Sequence, residues 1–107
     1  MHTYLMKRIV IIGDNDVEYR LCKEVQELGA TGYTIYTVRG EGARGIRPRR
    51  GESGNVKIEI IATQEIAHRI LQHISDNYFH KYAMIAFIDD VEVLQGHKFG
   101  AKASEKI

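Results

Sequence analysis

An α+β chain built on one antiparallel sheet is what this sequence predicts, and three observations predict it. Four segments have strand length and composition: Lys7–Ile12, Thr31–Val38, Val56–Ala62 and Ala83–Ile88. Two segments between them, over Val17–Leu28 and Ile66–Ile74, repeat their apolar residues at helical spacing. A single long interruption, rich in arginine and glycine, falls between the second and third strands. The order is β-α-β-β-α-β, the ferredoxin-like arrangement, with both helices on one face of the sheet and a long loop between strands two and three.

Each element has its own warrant. Lys7–Ile12 is continuous and β-branched, as a buried strand is. Gly13-Asp14-Asn15 breaks it, and Asn15 with Glu18 has the spacing of a capping box. Val17, Leu21, Val25 and Leu28 make the buried stripe of the first helix, with Cys22 beside it and Gly29 as its C-terminal stop. Thr31–Val38 carries threonine, tyrosine and β-branched residues; Tyr33 and Tyr36 fall on opposite faces and read as packing. Val56–Ala62 alternates. Thr63 caps the second helix, Glu65 sits in its first turn, and Ile66, Ile70 and Ile74 with Ala67 and Leu71 form its stripe to about Asn77. Ala83–Ile88 is the fourth strand. Val91–Leu94 either continues it or makes a fifth, and Gly96 ends the run.

The 107 residues read as one domain, 1–107, with a flexible loop at 39–55 and a tail at 100–107. The net charge of +1 gives no whole-protein attraction to nucleic acid or membrane. No apolar run approaches the roughly 20 residues that a bilayer needs, and the opening MHTYLMKR has no signal-peptide core, so the expected compartment is the cytoplasm. One cysteine, Cys22, excludes an intramolecular disulfide and reads as a small core residue. A chain this short cannot cover both faces of its sheet, so the open face predicts self-association.

Thr37–Asn55 holds five arginines, five glycines and the only proline. Between Arg39 and Arg50, five arginines stand against the single Glu41. Glycine lets a backbone approach a ligand and turn its N–H groups toward an anion, and guanidinium adds two-point recognition of phosphate or carboxylate. The composition therefore suits a small polyanion such as a nucleotide phosphate chain, and equally a solvated loop.

Other candidates are weaker. His97 lies in a Gly-His-Lys-Phe turn with an aromatic face and two partners for an anion. The five histidines show no metal spacing; His68 and His73, five apart, miss a common helix face. Asp89, Asp90 and Glu92 read as solvated turn and edge residues rather than as an acid–base pair. No nucleophile–base set can be assembled, so no enzyme, metal or resident cofactor is expected.

Two stretches are similar to a known family. GYTIYTVRGEGARG resembles the second strand and T-loop base of PII signalling proteins, where a Thr-Val-x-Gly-x-Gly run leads into a long loop. YFHKYAMIAFIDDVEVLQGHKF resembles the PII-like carbon-regulatory branch, which includes SbtB and the carboxysome-associated PII proteins. The likeness covers roughly residues 6 to 99. The chain departs from uridylylated PII proteins in having no tyrosine in its loop and no Gly-Asp-Gly-Lys run before the last strand, and from some SbtB proteins in having no cysteine in its tail.

The resemblance implies a homotrimer with adenine nucleotides (AMP, ADP, ATP or cyclic AMP) in the clefts between subunits. It implies Gly32 and Thr34 along the base and ribose, Gly42, Ala43, Arg44 and Arg47 on phosphate, and Gly96, His97, Lys98 and Phe99 closing the site. Arg39, Glu41, Arg49 and Arg50 are candidates for a partner or bicarbonate. The implied function is a non-catalytic regulator that controls a bicarbonate transporter or carboxysome-related protein. The alternative is an RNA-binding module using the arginine–glycine loop, against which stand the near-neutral charge and the absence of an RNP-type aromatic pattern.

Overall fold

The computed structural model describes residues 1–40 and 54–99. Its elements are β1 (Tyr4–Asp14), α1 (Glu18–Glu27), β2 (Thr34–Val38), β3 (Asn55–Ala62), α2 (Gln64–Asn77) and β4 (Met84–Val93). The sheet order is β2-β3-β1-β4 with every neighbouring pair antiparallel, the ferredoxin-like arrangement expected from the sequence. Helices α1 and α2 both pack on one face. Ile9 and Ile11 of β1 and Ile58 and Ile60 of β3 meet Leu21, Val25, Ile70 and Ile74 there in a continuous core.

Strand alternation assigns the second face. Tyr4, Met6, Arg8, Val10 and Ile12 of β1 point away from the helices. They share that face with Tyr36, Lys57, Glu59, Ile85, Phe87 and Asp89, their register neighbours or the neighbours of those. Ile85, Phe87 and Tyr36 are exposed on it.

Local structure departs from the expected boundaries for identifiable reasons. A 3₁₀ turn over Asn15–Val17 precedes α1, and its cap is Asp14, whose Oδ1 accepts from the Asp16 N–H at 2.8 Å. Asn15 is instead tied through its N–H to the Gly54 carbonyl at 3.2 Å. At the other end of α1, the Gly29 N–H bonds Gln26 and the Ala30 N–H bonds Val25, a Schellman closure. That closure needs the positive φ of 120° at Gly29. Residues 31–33 then return to the sheet, so β2 starts at Thr34.

Thr63 caps α2 as expected, its hydroxyl accepting from the Ile66 N–H at 3.3 Å. Strand β4 runs unbroken through Asp89 and Asp90. Each carboxylate lies directly opposite a cation of β1, Arg8 and Lys7 respectively, and pairs with it. Cys22 is buried, and that burial, with Glu18 adding to it, pushes its thiol pKa up, as fits an inert core residue. Among the described residues no helix is long and apolar enough to cross a membrane.

Candidate functional site

The residues expected to hold a nucleotide are delivered by two separate parts of the sheet. Gly32 precedes β2, and Thr34 opens it, exposed and opposite Glu59. Arg39 and Gly40 follow β2 directly, and both are exposed. A Cβ built at Gly32 or Gly40 would meet nothing within 4 Å, so neither glycine is demanded by packing inside the chain. Glu41, Gly42, Ala43, Arg44, Arg47, Arg49 and Arg50 lie outside the described residues.

Gly96–Phe99 forms a 3₁₀ turn just after β4. Gly96 is buried, while His97 and Lys98 are exposed. The Lys98 ammonium sits 5.6 Å from the centroid of the Phe99 ring, within cation–π range.

These two groups do not meet within one chain. β2 and β4 are the opposite edges of the sheet, three strand spacings or about 14 Å apart. They are also displaced along the strands. Val38, where the arginine–glycine segment departs, lies opposite Asn55, which lies opposite Asp14 at the end of β1. The Gly96–Phe99 turn contacts the start of β1 at Tyr4, ten positions or about 33 Å away. No nucleotide-sized ligand spans that distance.

The open sheet face carries a charged row across three strands. Arg8 pairs with Asp89 on one side and reaches Glu59 at 3.6 Å on the other, and Lys57 lies 3.3 Å from Glu59. The Tyr36 hydroxyl completes the row, 3.5 Å from Glu59, with Lys57 5.4 Å from its ring. Tyr33 and Tyr36 are thus exposed rather than packed in the core, because β2 is an edge strand and Tyr33 precedes it. An apolar row, Val10, Ile12, Ile85 and Phe87, runs beside the charges.

A second polar cluster joins α1, α2 and the connection to β4. The buried Tyr78 hydroxyl donates to Glu24 at 2.5 Å and accepts from Arg20 at 3.1 Å. His73 Nε2 lies 2.7 Å from the same Glu24 carboxylate, and Arg20 also donates to the Tyr82 hydroxyl at 3.0 Å. Burial would raise the Glu24 carboxyl, but the hydrogen bonds from Tyr78 and His73 outweigh it and hold the pKa below the usual value. Burial, with the bond to Glu24 adding to it, pushes the Tyr78 phenol up to about 12.

Sequence reasoning did not single out this cluster, the Arg8 row or Tyr4. Arg20 and Glu24, four apart, flank the apolar stripe of α1, but their partners are 49 to 62 positions away, and only the fold brings them together. The carboxylates of β4 are committed to Arg8, Lys7 and, for Glu92, the Thr3 hydroxyl at 2.8 Å, rather than to one another. Among the described residues no group of three metal-binding side chains converges.

Comparison with known proteins adds to this geometry. The family model described as Nitrogen regulatory protein P-II matches residues 6–98. A PII-like signalling protein of Thermus thermophilus is 43% identical over 92% of this chain and 99% of its own, with a TM-score of 0.81. CPII, a nitrogen regulatory PII-like protein from Thiomonas intermedia solved with ADP, AMP and bicarbonate, is 22% identical. It shares the fold over 91% of this chain and 95% of its own, at a TM-score of 0.81. The GlnK–ATP complex of B. subtilis is more distant, 16% identical over 81% and 82% of the two chains, with a TM-score of 0.57.

Proposed function

From the premise that the chain belongs to the nitrogen regulatory protein P-II family, we propose that it is a non-catalytic, cytoplasmic regulator that binds adenine nucleotides between the subunits of a homotrimer. The whole chain, 1–107, acts as one domain. One observation carries the reading: Gly32–Gly40 belongs to one edge of the sheet and Gly96–Phe99 to the other, with the loop base at Val38 also at the far end of the strands. A ligand that needs both must take one from each of two chains.

The chemistry of each group suits its share of a nucleotide. Gly32 and Thr34 offer open backbone and a hydroxyl to base and ribose. Gly42, Ala43, Arg44 and Arg47 supply N–H groups and guanidinium to the phosphates. His97 and Lys98 supply exposed donors from the facing subunit, with Gly96 and Phe99 closing the cleft. The open face, with its apolar row beside paired charges, is the surface for assembly.

Bicarbonate is a second ligand, taken by Arg39, Arg49 and Arg50 with Glu41 nearby; the fold-mate CPII was solved with ADP, AMP and bicarbonate. Occupancy of the cleft governs how the 39–55 segment engages a partner in inorganic-carbon uptake or fixation.

Calorimetry with AMP, ADP, ATP and cyclic AMP, each with and without bicarbonate, tests the reading. A nucleotide at 100 times its dissociation constant should also add about 2.7 kcal/mol of thermal stability. A chain that ignores all four nucleotides but binds an RNA oligomer with steep salt dependence would be a nucleic-acid module instead.

A further inference from the structure

We propose that Tyr4 is a positioning residue for nucleotide binding, the floor on which the Gly96–Phe99 turn is held in the geometry that closes the cleft. This rests on the reading of that turn as part of the nucleotide site.

The start of β1 is an extension of the sheet. Lys7 is the last β1 residue paired with β3, through Ala62, so Tyr4, Leu5 and Met6 pair only with Val93, Glu92 and Val91 of β4. On the face away from the helices nothing from β3 shields this ribbon. Met6 is nevertheless only 1% exposed. The turn after β4 folds back onto the β1 end of the ribbon.

The contact is close and specific. A Cβ at Gly96 would stand 2.2 Å from Tyr4 Cγ and 2.5 Å from both Cδ atoms, so the glycine backbone lies flat on the base of the ring. The atoms met are the rigid root of an aromatic side chain, which cannot swing away as a flexible tip can. The far end of the same ring serves the next residue. Its centroid is 5.6 Å from that of His97, and its hydroxyl is 3.5 Å from His97 Nε2.

One ring thus fixes two successive residues of a turn that follows the exposed Leu94 and Gln95 and is tied within itself by the Lys98 N–H to Gln95 C=O bond at 3.1 Å. His97 and Lys98 remain exposed. Tyr4 therefore orders the turn through Gly96 and His97, while the Lys98 ammonium lies against Phe99.

The packing of the ring, not the long hydroxyl contact, carries the effect. Tyr4→Phe should keep nucleotide affinity within about threefold of wild type, and Tyr4→Ala should lose roughly tenfold or more. Gly96→Ala should lose a similar factor, because the new methyl collides with the ring. The Tyr4→Ala/Gly96→Ala double variant should be no worse than either single variant, since removing the ring removes the collision.

Nuclear magnetic resonance of the ligand-free protein gives a readout independent of binding. The His97 ring protons should shift in Tyr4→Ala and stay near wild type in Tyr4→Phe, with the β1–β3 ladder still protected from exchange in both. A His97 that moves while nucleotide affinity stays unchanged would overturn the positioning role and leave the proposed function standing. So would additive losses in the double variant. A wild-type chain that binds none of the adenine nucleotides removes both.

Discussion

Arg8 and Asp89 face each other across the β1–β4 ladder on the sheet face that the helices leave open, joined by parallel hydrogen bonds of 3.1 Å from Nε and 2.8 Å from Nη2. In water such a pair contributes little. Covered by another copy of the chain it becomes a compensated buried charge, and removing one partner strands the other. Arg8→Met should therefore leave a lone subunit folded but break the proposed trimer, as read by sedimentation at micromolar concentration. An intact trimer would place the pair outside the interface.

The same pair has a pH signature. The hydrogen bond from Arg8, with its charge, holds the Asp89 carboxyl below the ordinary 3.8. Because the folded-state value is depressed, the contribution is present above the ordinary value and is lost as pH falls through the lowered one. Assembly should weaken below about pH 4, and Asp89→Asn should remove that acid step.

The continuous β-branched run of Lys7–Ile12, the alternation of Val56–Ala62 and the stripes of the two helices were enough to read the β-α-β-β-α-β order, because burial leaves those patterns directly in the sequence. The Thr63 cap and the Gly29 stop were legible for the same reason: each answers a local backbone demand. The Asn15 cap was not: Asp14, one residue earlier, caps the turn through its Oδ1, while the Asn15 N–H bonds the Gly54 carbonyl just before β3. Nor was Tyr4, whose partner Gly96 is 92 positions away. The candidate site was legible only in halves. The motifs offered Thr34 and the Gly-His-Lys-Phe turn as candidates, but only the order of strands shows that β2 and β4, which carry them, are opposite edges of the sheet.

Tyr78 sets an alkaline limit. Burial and the bond to Glu24 raise its phenol to about 12 from an ordinary 10. With a raised folded-state value the stabilisation is complete below pH 10 and is lost as pH climbs to 12, about 2–3 kcal/mol in all. Tyr78→Phe, lacking the hydroxyl, should be less stable near neutrality yet lose less between about pH 8 and pH 11. Urea unfolding at those two values gives the comparison, and an equal loss in both proteins would contradict it.

The arginines of the 39–55 segment should not be equivalent. A charge-assisted contact to phosphate is worth about 1.5–3 kcal/mol, or about ten- to a hundredfold in affinity. Arg44→Ala and Arg47→Ala should each show such a loss by calorimetry, with Arg49→Ala and Arg50→Ala near wild type for the nucleotide. Four equal losses that fade together with added salt would instead describe a diffuse basic patch.

The proposed division of the site between two chains yields a complementation test. One variant carries Arg44→Ala and Arg47→Ala, which damages the loop side. The other carries His97→Ala and Lys98→Ala, which damages the turn side. Each homotrimer alone has three damaged clefts and should bind weakly. In a mixed trimer, whichever chain is in the minority, one junction sets the intact loop of one variant against the intact turn of the other. Random exchange at equal amounts should therefore restore about one quarter of the clefts to wild-type affinity, and the doubly damaged junctions should bind nothing measurable. Unfolding and refolding the two variants together, followed by calorimetry, reads the restored fraction as a stoichiometry rather than as a change in affinity. If each cleft were built within a single chain, every site in the mixture would still carry one of the two lesions. Refolding together would then recover no tight binding.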